Sequence, residues 1–389
     1  MSLPPPAEQF DEWARTTVRH LPLYRRFCRG AALDVEVANR LLLSPVESQR
    51  LPNLLFAAVH DVLLSGLDDP LVDWYGSVLS TRGIDESDVR PIGEGAADPW
   101  PHFRRLALTD EAVADRLRTR STQTNEIGRC AALVPALSQV AGDRPAASME
   151  PAGLVLVELG ASAGLNLLMD QYGYRYHRSK IAGLAPSSHE INPGAMVTLK
   201  SELRGDLAPP LPEELPRIVA RAGLDLEPVS LSDADQARWL VACQWPDQPE
   251  RVHRLRSAIA LARGSQPRVI AADAVDGVRD LAARVASVAP GAHLVVYSTW
   301  ALAYLEADRQ AALLDVLDEI SSERDLTLVF AEQPVLVPGL GVPARPDGSP
   351  DGAATALVRV DWTDGERAGP RRLADMHPHG TWLEWLETR

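Results

Sequence analysis

The stretch Leu154-Val-Leu-Val-Glu158-Leu-Gly160-Ala-Ser162-Ala-Gly164-Leu-Asn166 decides how the chain is read. Six residues, apolar but for Glu158, form a run short enough for a buried strand, and the small residues after it signal a tight turn. Leu165 and Asn166 then open a helical pattern. A strand, a small-residue turn and a helix start together make a place where a ligand can approach backbone closely and meet helix-start N–H groups.

Outward from this stretch, two regions differ in pattern. Upstream, to about residue 150, apolar residues recur at helical spacing. Phe10, Trp13, Ala14, Val18 and Leu21 form one such stripe, and Leu51, Leu54, Leu55, Ala58, Val59 and Val62 another. Asp98–Leu117 and Glu126–Val140 add two more helices. Gly142-Asp-Arg-Pro145 with Met149-Glu-Pro151 is a turn-rich boundary. Downstream, short apolar runs alternate with helices: Leu154–Leu159, Ile218–Leu226, Arg268–Ala272, His293–Ser298, Leu326–Ala331 and Ala356–Trp362. That alternation predicts a parallel-rich α/β sheet flanked by helices, following an N-terminal all-helical domain. The expected division is 1–150 as a helical cap and 151–389 as the sheet domain. Pro246 and Pro249 separate helices over Asp233–Cys243 and Glu250–Arg263. Residues 172–216 read as an insertion, with Tyr174–His177 and Met196–Leu203 as hairpin strands. Pro338–Gly352 reads as a loop, and Trp382–Leu386 as a docking helix.

Composition narrows the class. The 389 residues suffice for two domains, and 46% hydrophobic content is that of a globular chain. A net charge of −14 argues against nucleic acid or anionic membrane as partners. Cys28, Cys130 and Cys243 are odd in number and far apart, which predicts neither disulfides nor a zinc knuckle and suits a reducing cytosol. The start MSLPPPAEQF has no charged and apolar leader pattern, and no apolar run approaches a membrane span. A soluble cytoplasmic protein, of undefined oligomeric state, is expected to act on a small molecule.

Acids stand at three strand ends: Glu158 with its glycine turn, Asp225 in Gly223-Leu-Asp225-Leu-Glu-Pro228, and Asp273 in Val269-Ile-Ala-Ala-Asp273-Ala274. Ligands of open α/β sheets lie beyond the carboxyl ends of strands. One carboxylate there suits a ribose diol and another an adenine amino group. On these residues, Leu154 to Trp362 resembles the class I, Rossmann-like S-adenosylmethionine-dependent methyltransferases. The whole chain is similar to an uncharacterised bacterial family of that fold through Arg120-Ser-Thr-Gln123-Thr-Asn125-Glu126-Ile-Gly128-Arg129-Cys130, the Glu158–Asn166 turn and Gly223–Pro228. The resemblance implies S-adenosylmethionine as cofactor. It implies cofactor contacts from Glu158, Gly160, Ser162, Gly164, Asn166, Asp225, Asp273 and Ala274. Two departures stand out. Ser162 replaces the middle glycine of the usual triplet, and Asp225 follows Gly160 at more than twice the ordinary interval of about 20–30 residues.

Two rival chemistries share the turn. Gly160-Ala-Ser162-Ala-Gly164 matches the G-x-S-x-G elbow of serine hydrolases, with Ser162 as nucleophile and His377 or His379 last, but no acid stands out as the triad partner, although Asp325 and Asp361 lie at permitted places. The helical upstream region and the lack of an HGGG-type loop count against it, and a small residue in a tight turn is the plainer reading of Ser162. A nicotinamide dinucleotide fingerprint fails at Ser162 and Leu165. A Rossmann-like protein that binds without catalysis is a further alternative.

For the substrate side, Arg120, Gln123, Asn125, Glu126 and Arg129 crowd polar groups before an apolar helix. Tyr297-Ser298-Thr299-Trp300 ends the fourth strand, with Tyr304 one turn on. Arg120, Gln123, Asn125, Arg129, Ser298 and Trp300 are the substrate-binding candidates; Glu126, as a general base, and Tyr304 are the catalytic ones. The bland alternatives are a solvated first turn for the 120–129 segment and core packing for Trp300. His377-Pro-His379 has no third ligand at a metal spacing, so no metal is expected.

Overall fold

A computed structural model describes residues 3–143, 153–179 and 186–387. The chain forms two compact units. The first takes Met1–Thr124 and Ser230–Arg256, the second Asn125–Val229 and Ser257–Arg389. This division differs from the expected one at residue 150. The helix Cys130–Gly142 belongs with the sheet, where Tyr176 Oη donates to the Ala131 carbonyl at 2.8 Å. Segment 230–256 returns to the first unit because Trp239 and Ala242 fill that unit's core. Most of the turn-rich stretch 142–151 lies outside the described residues.

Among its described residues the first unit holds helices and 3-10 turns and no strand. Its core is aromatic: Phe27 stacks on Phe103 at 4.1 Å and Tyr24 lies 4.4 Å from Phe56. The pattern read as one helix over Asp98–Leu117 is two, Trp100–Thr109 and Glu111–Thr119. Asp110 breaks it by accepting from the N–H groups of Ala112 and Val113, which caps the second helix.

The second unit is built on one sheet. Its strands are β1 (Leu154–Leu159), β2 (Gly173–Arg178), β3 (Ser187–Ile191), β4 (Thr198–Arg204), β5 (Ile218–Asp225), β6 (Val269–Ala271), β7 (His293–Thr299), β8 (Leu326–Glu332), β9 (Thr355–Thr363), β10 (Glu366–Arg367), β11 (Arg371–Met376) and β12 (Trp382–Trp385). The order is β3-β2-β4-β12-β11-β9-β8-β7-β1-β5-β6, with β10 beside β9. Neighbours from β6 through β5, β1 and β7 to β8 are parallel. Strand β9 then runs antiparallel to β8, and the rest is mixed. All six apolar runs are strands. The insertion does form strands, but β2 and β4 pair parallel, and β3 is the antiparallel partner of β2. The docking helix expected at Trp382–Leu386 is instead β12, wedged between β11 and β4. Leu383 and Trp385 are buried there and Trp382 and Glu384 half-buried, a period of two.

β1 is buried on both faces, which explains its nearly continuous apolar run. Val155, Val157 and Leu159 pack with the helices Ala274–Ser287 and Ala307–Ser321. Leu154, Leu156 and Glu158 alternate to the opposite face. From β1 the chain builds outward through β5 and β6, then returns to place β7 on the other side of β1. The strand order therefore reverses at β1, and its carboxyl end is a topological switch point.

Candidate functional site

Glu158 sits at that switch point, between Gly223 of β5 and Tyr297 of β7. It is 1% exposed. Asn166 Nδ2 donates to Oε1 at 3.0 Å and the Tyr297 hydroxyl to Oε2 at 3.1 Å. Burial pushes the carboxyl up to about 8, against the pull of those two donors.

The turn after β1 takes three left-handed residues, Gly160 (φ 74°), Ser162 (φ 51°) and Gly164 (φ 74°). Glycine is required at Gly160 twice over, since a Cβ there would lie 2.1 Å from the Ala301 methyl. The N–H groups of this turn serve the protein itself. Those of Gly160 and Ala161 go to the Leu224 carbonyl, that of Ser162 to Asp225 Oδ2 at 2.7 Å, and that of Leu165 to Asn125 Oδ1 at 3.0 Å. The expected helix is a 3-10 segment, Leu165–Gln171, broken at Leu168. Helix-start N–H groups are thus not the resource the sequence suggested: Asn125 has taken the first of them.

Asp225 ends β5 beside this turn. Besides Ser162 N–H it accepts from Glu227 N–H on Oδ1 at 2.9 Å. Asp273 follows β6 and caps the helix Ala274–Ser287 through the N–H groups of Val275 and Asp276; Arg309 Nη2 lies 2.6 Å from the same Oδ1. Burial alone would raise the Asp273 carboxyl, but those donors outweigh it and hold it below its ordinary value. Ala274 is the first residue of that helix.

A second polar group gathers around Arg129, which is 6% exposed. Its Nη1 donates to the Thr299 carbonyl at 3.0 Å, its Nε to the Pro378 carbonyl at 2.8 Å, and its guanidinium lies 5.8 Å from the centre of the Trp300 ring. Trp300 (φ 56°) donates from Nε1 to Thr355 Oγ1 at 3.0 Å. Ser298 is fully buried and donates to the Leu159 carbonyl at 3.0 Å, so it braces β7 against the β1 turn. Glu126 is 4% exposed; Oε1 accepts from Gly128 N–H at 3.0 Å, and Oε2 lies 3.8 Å from His379 Nδ1.

The remaining candidates separate from these. Arg120 and Gln123 belong to the first unit, where Arg120 lies 5.9 Å from the Trp239 ring centre and Gln123 N–H donates to Cys243 Sγ at 3.5 Å. Tyr304 is 83% exposed on a 3-10 turn and makes none of the contacts above. Among the described residues no group of three His, Cys, Asp or Glu side chains could hold a metal ion.

Sequence reasoning missed Glu332, which is fully buried at the end of β8. Its Oε1 accepts from the N–H groups of Ala301 and Leu302, both at 2.9 Å, while Oε2 has no hydrogen-bond partner among the described residues. Burial pushes this carboxyl up to about 7, opposed by those N–H groups and by the charge of Arg129. The signal was present: Glu332 stands at the end of β8, as acids stand at or beside the ends of β1, β5 and β6.

Fold and site together define a mixed α/β protein with buried acids and a glycine turn at its switch point. A family model described as "Uncharacterized protein conserved in bacteria (DUF2332)" matches residues 7–385, and the chain belongs to that family. No curated protein and no solved structure matches the chain. Among the described residues no helix is long and apolar enough to cross a membrane.

Proposed function

We propose that this chain is a Rossmann-like, S-adenosylmethionine-dependent methyltransferase of a small molecule. The observation that carries the reading is Asp225, half-buried at the carboxyl end of β5 against the left-handed turn of β1. A carboxylate offers about four lone-pair sites, and backbone N–H groups occupy one on each oxygen. The other two suit a ribose diol. At Asp273 all three donors fall on Oδ1, which leaves Oδ2 for an adenine amino group. The parallel order β6-β5-β1-β7-β8 with antiparallel β9 beyond it supports the Rossmann-like assignment.

These residues fit the nucleoside end of the cofactor. The glycines of the turn allow close approach, while its Ser162 and Leu165 N–H groups bond within the protein. When bound, the cofactor supplies a methyl group on a good leaving group. The protein's share is positioning and removal of water. Calorimetry with S-adenosylmethionine and S-adenosylhomocysteine tests this. Both should bind wild type, and Asp225→Ala should weaken both about tenfold or more, the worth of a charged hydrogen bond. No binding to wild type at high micromolar concentration would overturn it.

One observation favours a second reading. Ser162 carries the positive φ of a strained strand-to-helix elbow within G-x-S-x-G. Against that reading, Ser162 is 3% exposed and precedes a 3-10 segment. A fluorophosphonate probe separates the two: labelling that disappears in Ser162→Ala marks a hydrolase.

A further inference from the structure

We propose that Glu332 is a positioning residue of this site: its carboxyl pins the turn after β7 against the glycine turn of β1, and cofactor binding needs that turn pinned. The proposal rests on the methyl-transfer reading and adds a proton-linked control to the same site.

The turn Trp300–Leu302 is held in a costly shape. Trp300 has φ 56°, a left-handed backbone that strains a bulky residue. Such a shape persists only where the surroundings fix it, and here they do. Trp300 N–H donates to the Ala331 carbonyl at 3.0 Å, and its Nε1 to Thr355 Oγ1 at 3.0 Å. The next two N–H groups, those of Ala301 and Leu302, both reach Glu332 Oε1 at 2.9 Å.

Direct contact joins this turn to the site. A Cβ on Gly160 would lie 2.1 Å from the Ala301 methyl, so the two turns touch with no room for a side chain between them. At the end of β7 the Ser298 hydroxyl donates to the Leu159 carbonyl at 3.0 Å. Two residues beyond Gly160, Ser162 N–H holds Asp225 Oδ2 at 2.7 Å. Displacing Ala301 therefore loosens the turn that seats Asp225, the carboxylate assigned to the ribose.

Glu332 is fully buried. Its Oε1 accepts two N–H groups, so the proton of the neutral acid sits on Oε2. Beside it in the sheet lie Ala356 of β9 and the Thr299 end of β7, which carry no titratable side chain. Among the described residues the charged group that acts on it is the Arg129 guanidinium. Burial raises the carboxyl to about 7 against that charge and the N–H donors. Opening the turn admits water and returns the group toward its ordinary value of 4.5. The closed turn thus binds the proton more tightly than the open one. Closure is fully favoured below 4.5 and weakens as pH rises through about 7.

Amide hydrogen exchange on the intact chain tests this. Between about pH 5 and pH 8, after correction for intrinsic exchange, opening at Ala301 and Leu302 should rise about tenfold or more in wild type. In Glu332→Gln, whose amide oxygen accepts the same two N–H groups, opening should stay flat. Parallel behaviour in the two proteins overturns the proposal. A rise shared equally by the β1 amides Leu154–Leu159 would make the event unfolding of the sheet, and also overturns it. Binding is the second readout. Glu332→Ala should bind S-adenosylhomocysteine about tenfold or more weakly than wild type, and Glu332→Gln should restore most of that loss. Undiminished binding by Glu332→Ala overturns the positioning role. If Glu332→Ala does not fold, the exchange comparison of wild type with Glu332→Gln decides. That comparison involves no cofactor, so its failure is distinct from failure of the methyltransferase reading.

Discussion

In the mixed half of the sheet, Asp375 on β11 is fully buried between two guanidinium groups. Arg372 donates to its Oδ1 from Nε at 2.8 Å and Nη2 at 2.6 Å, and Arg345 pairs with Oδ2. In the parallel half, Glu158 and Glu332 are as deeply buried, and among the described residues only neutral donors bond to them. The difference separates two uses of a buried acid. Where cations are built in, burial still pushes the Asp375 carboxyl up, but the guanidinium groups of Arg372 and Arg345 oppose it, and the Arg345 pair ties β11 to the loop before β9. Where only N–H and O–H groups are supplied, burial raises the carboxyl toward neutrality and the group stays poised to titrate. The poised acids lie at the carboxyl ends of β1, at the switch point, and of β8 in the parallel half, whereas the stapled one is on β11 of the mixed half.

The sharpest way to break this contrast is Arg372→Ala. It strips the main partner from a fully buried carboxylate and should cost about 3–5 kcal/mol in urea unfolding. A loss below about 1 kcal/mol would mean the staple carries no weight. Next is Gly160→Ala, which forces a side chain into a left-handed backbone and against the Ala301 methyl. Strain and overpacking together should cost about 2–4 kcal/mol, and an unchanged melting temperature would show that the two turns are not closed on each other.

The smallest effect concerns the poised acids. A carboxyl with a higher pKa folded than unfolded takes up protons on folding. Its contribution is present below the ordinary value of 4.5 and is lost as pH rises through about 7 for Glu332 and about 8 for Glu158. Glu332→Gln and Glu158→Gln should therefore be more stable than wild type at pH 9 relative to pH 5, each by on the order of 1–3 kcal/mol. Parallel stability–pH curves would show that these groups do not titrate as buried acids.

Much of the parallel half was legible because its strands are buried on both faces and read as unbroken apolar runs. The Glu158–Gly164 turn was legible for the same reason: small residues after such a run leave the backbone few alternatives. The mixed half was harder. Trp382-Leu-Glu-Trp385 fits a helical stripe and a strand equally, and only pairing with β11 and β4 selects the strand. The sequence offers Asn125 as a substrate contact from its polar cluster before an apolar helix, and Ser298 from its place at the end of a strand. Asn125 instead satisfies Leu165 N–H and Ser298 the Leu159 carbonyl, bonds between residues 40 and 139 positions apart. Local pattern carries no information about such partners.

By itself the sequence determined the parallel strands, the glycine turn and the acids at its margin, since each follows from local burial pattern or backbone freedom. Tertiary structure decided where the units divide, which donors the turn keeps for itself, and which acids stay unpaired by cations. It also brought Glu126 to His379 across some 250 residues. Those outcomes depend on which distant groups reach a buried polar atom first, and an unmet buried carboxyl such as Glu332 exists only once the fold has excluded water from it.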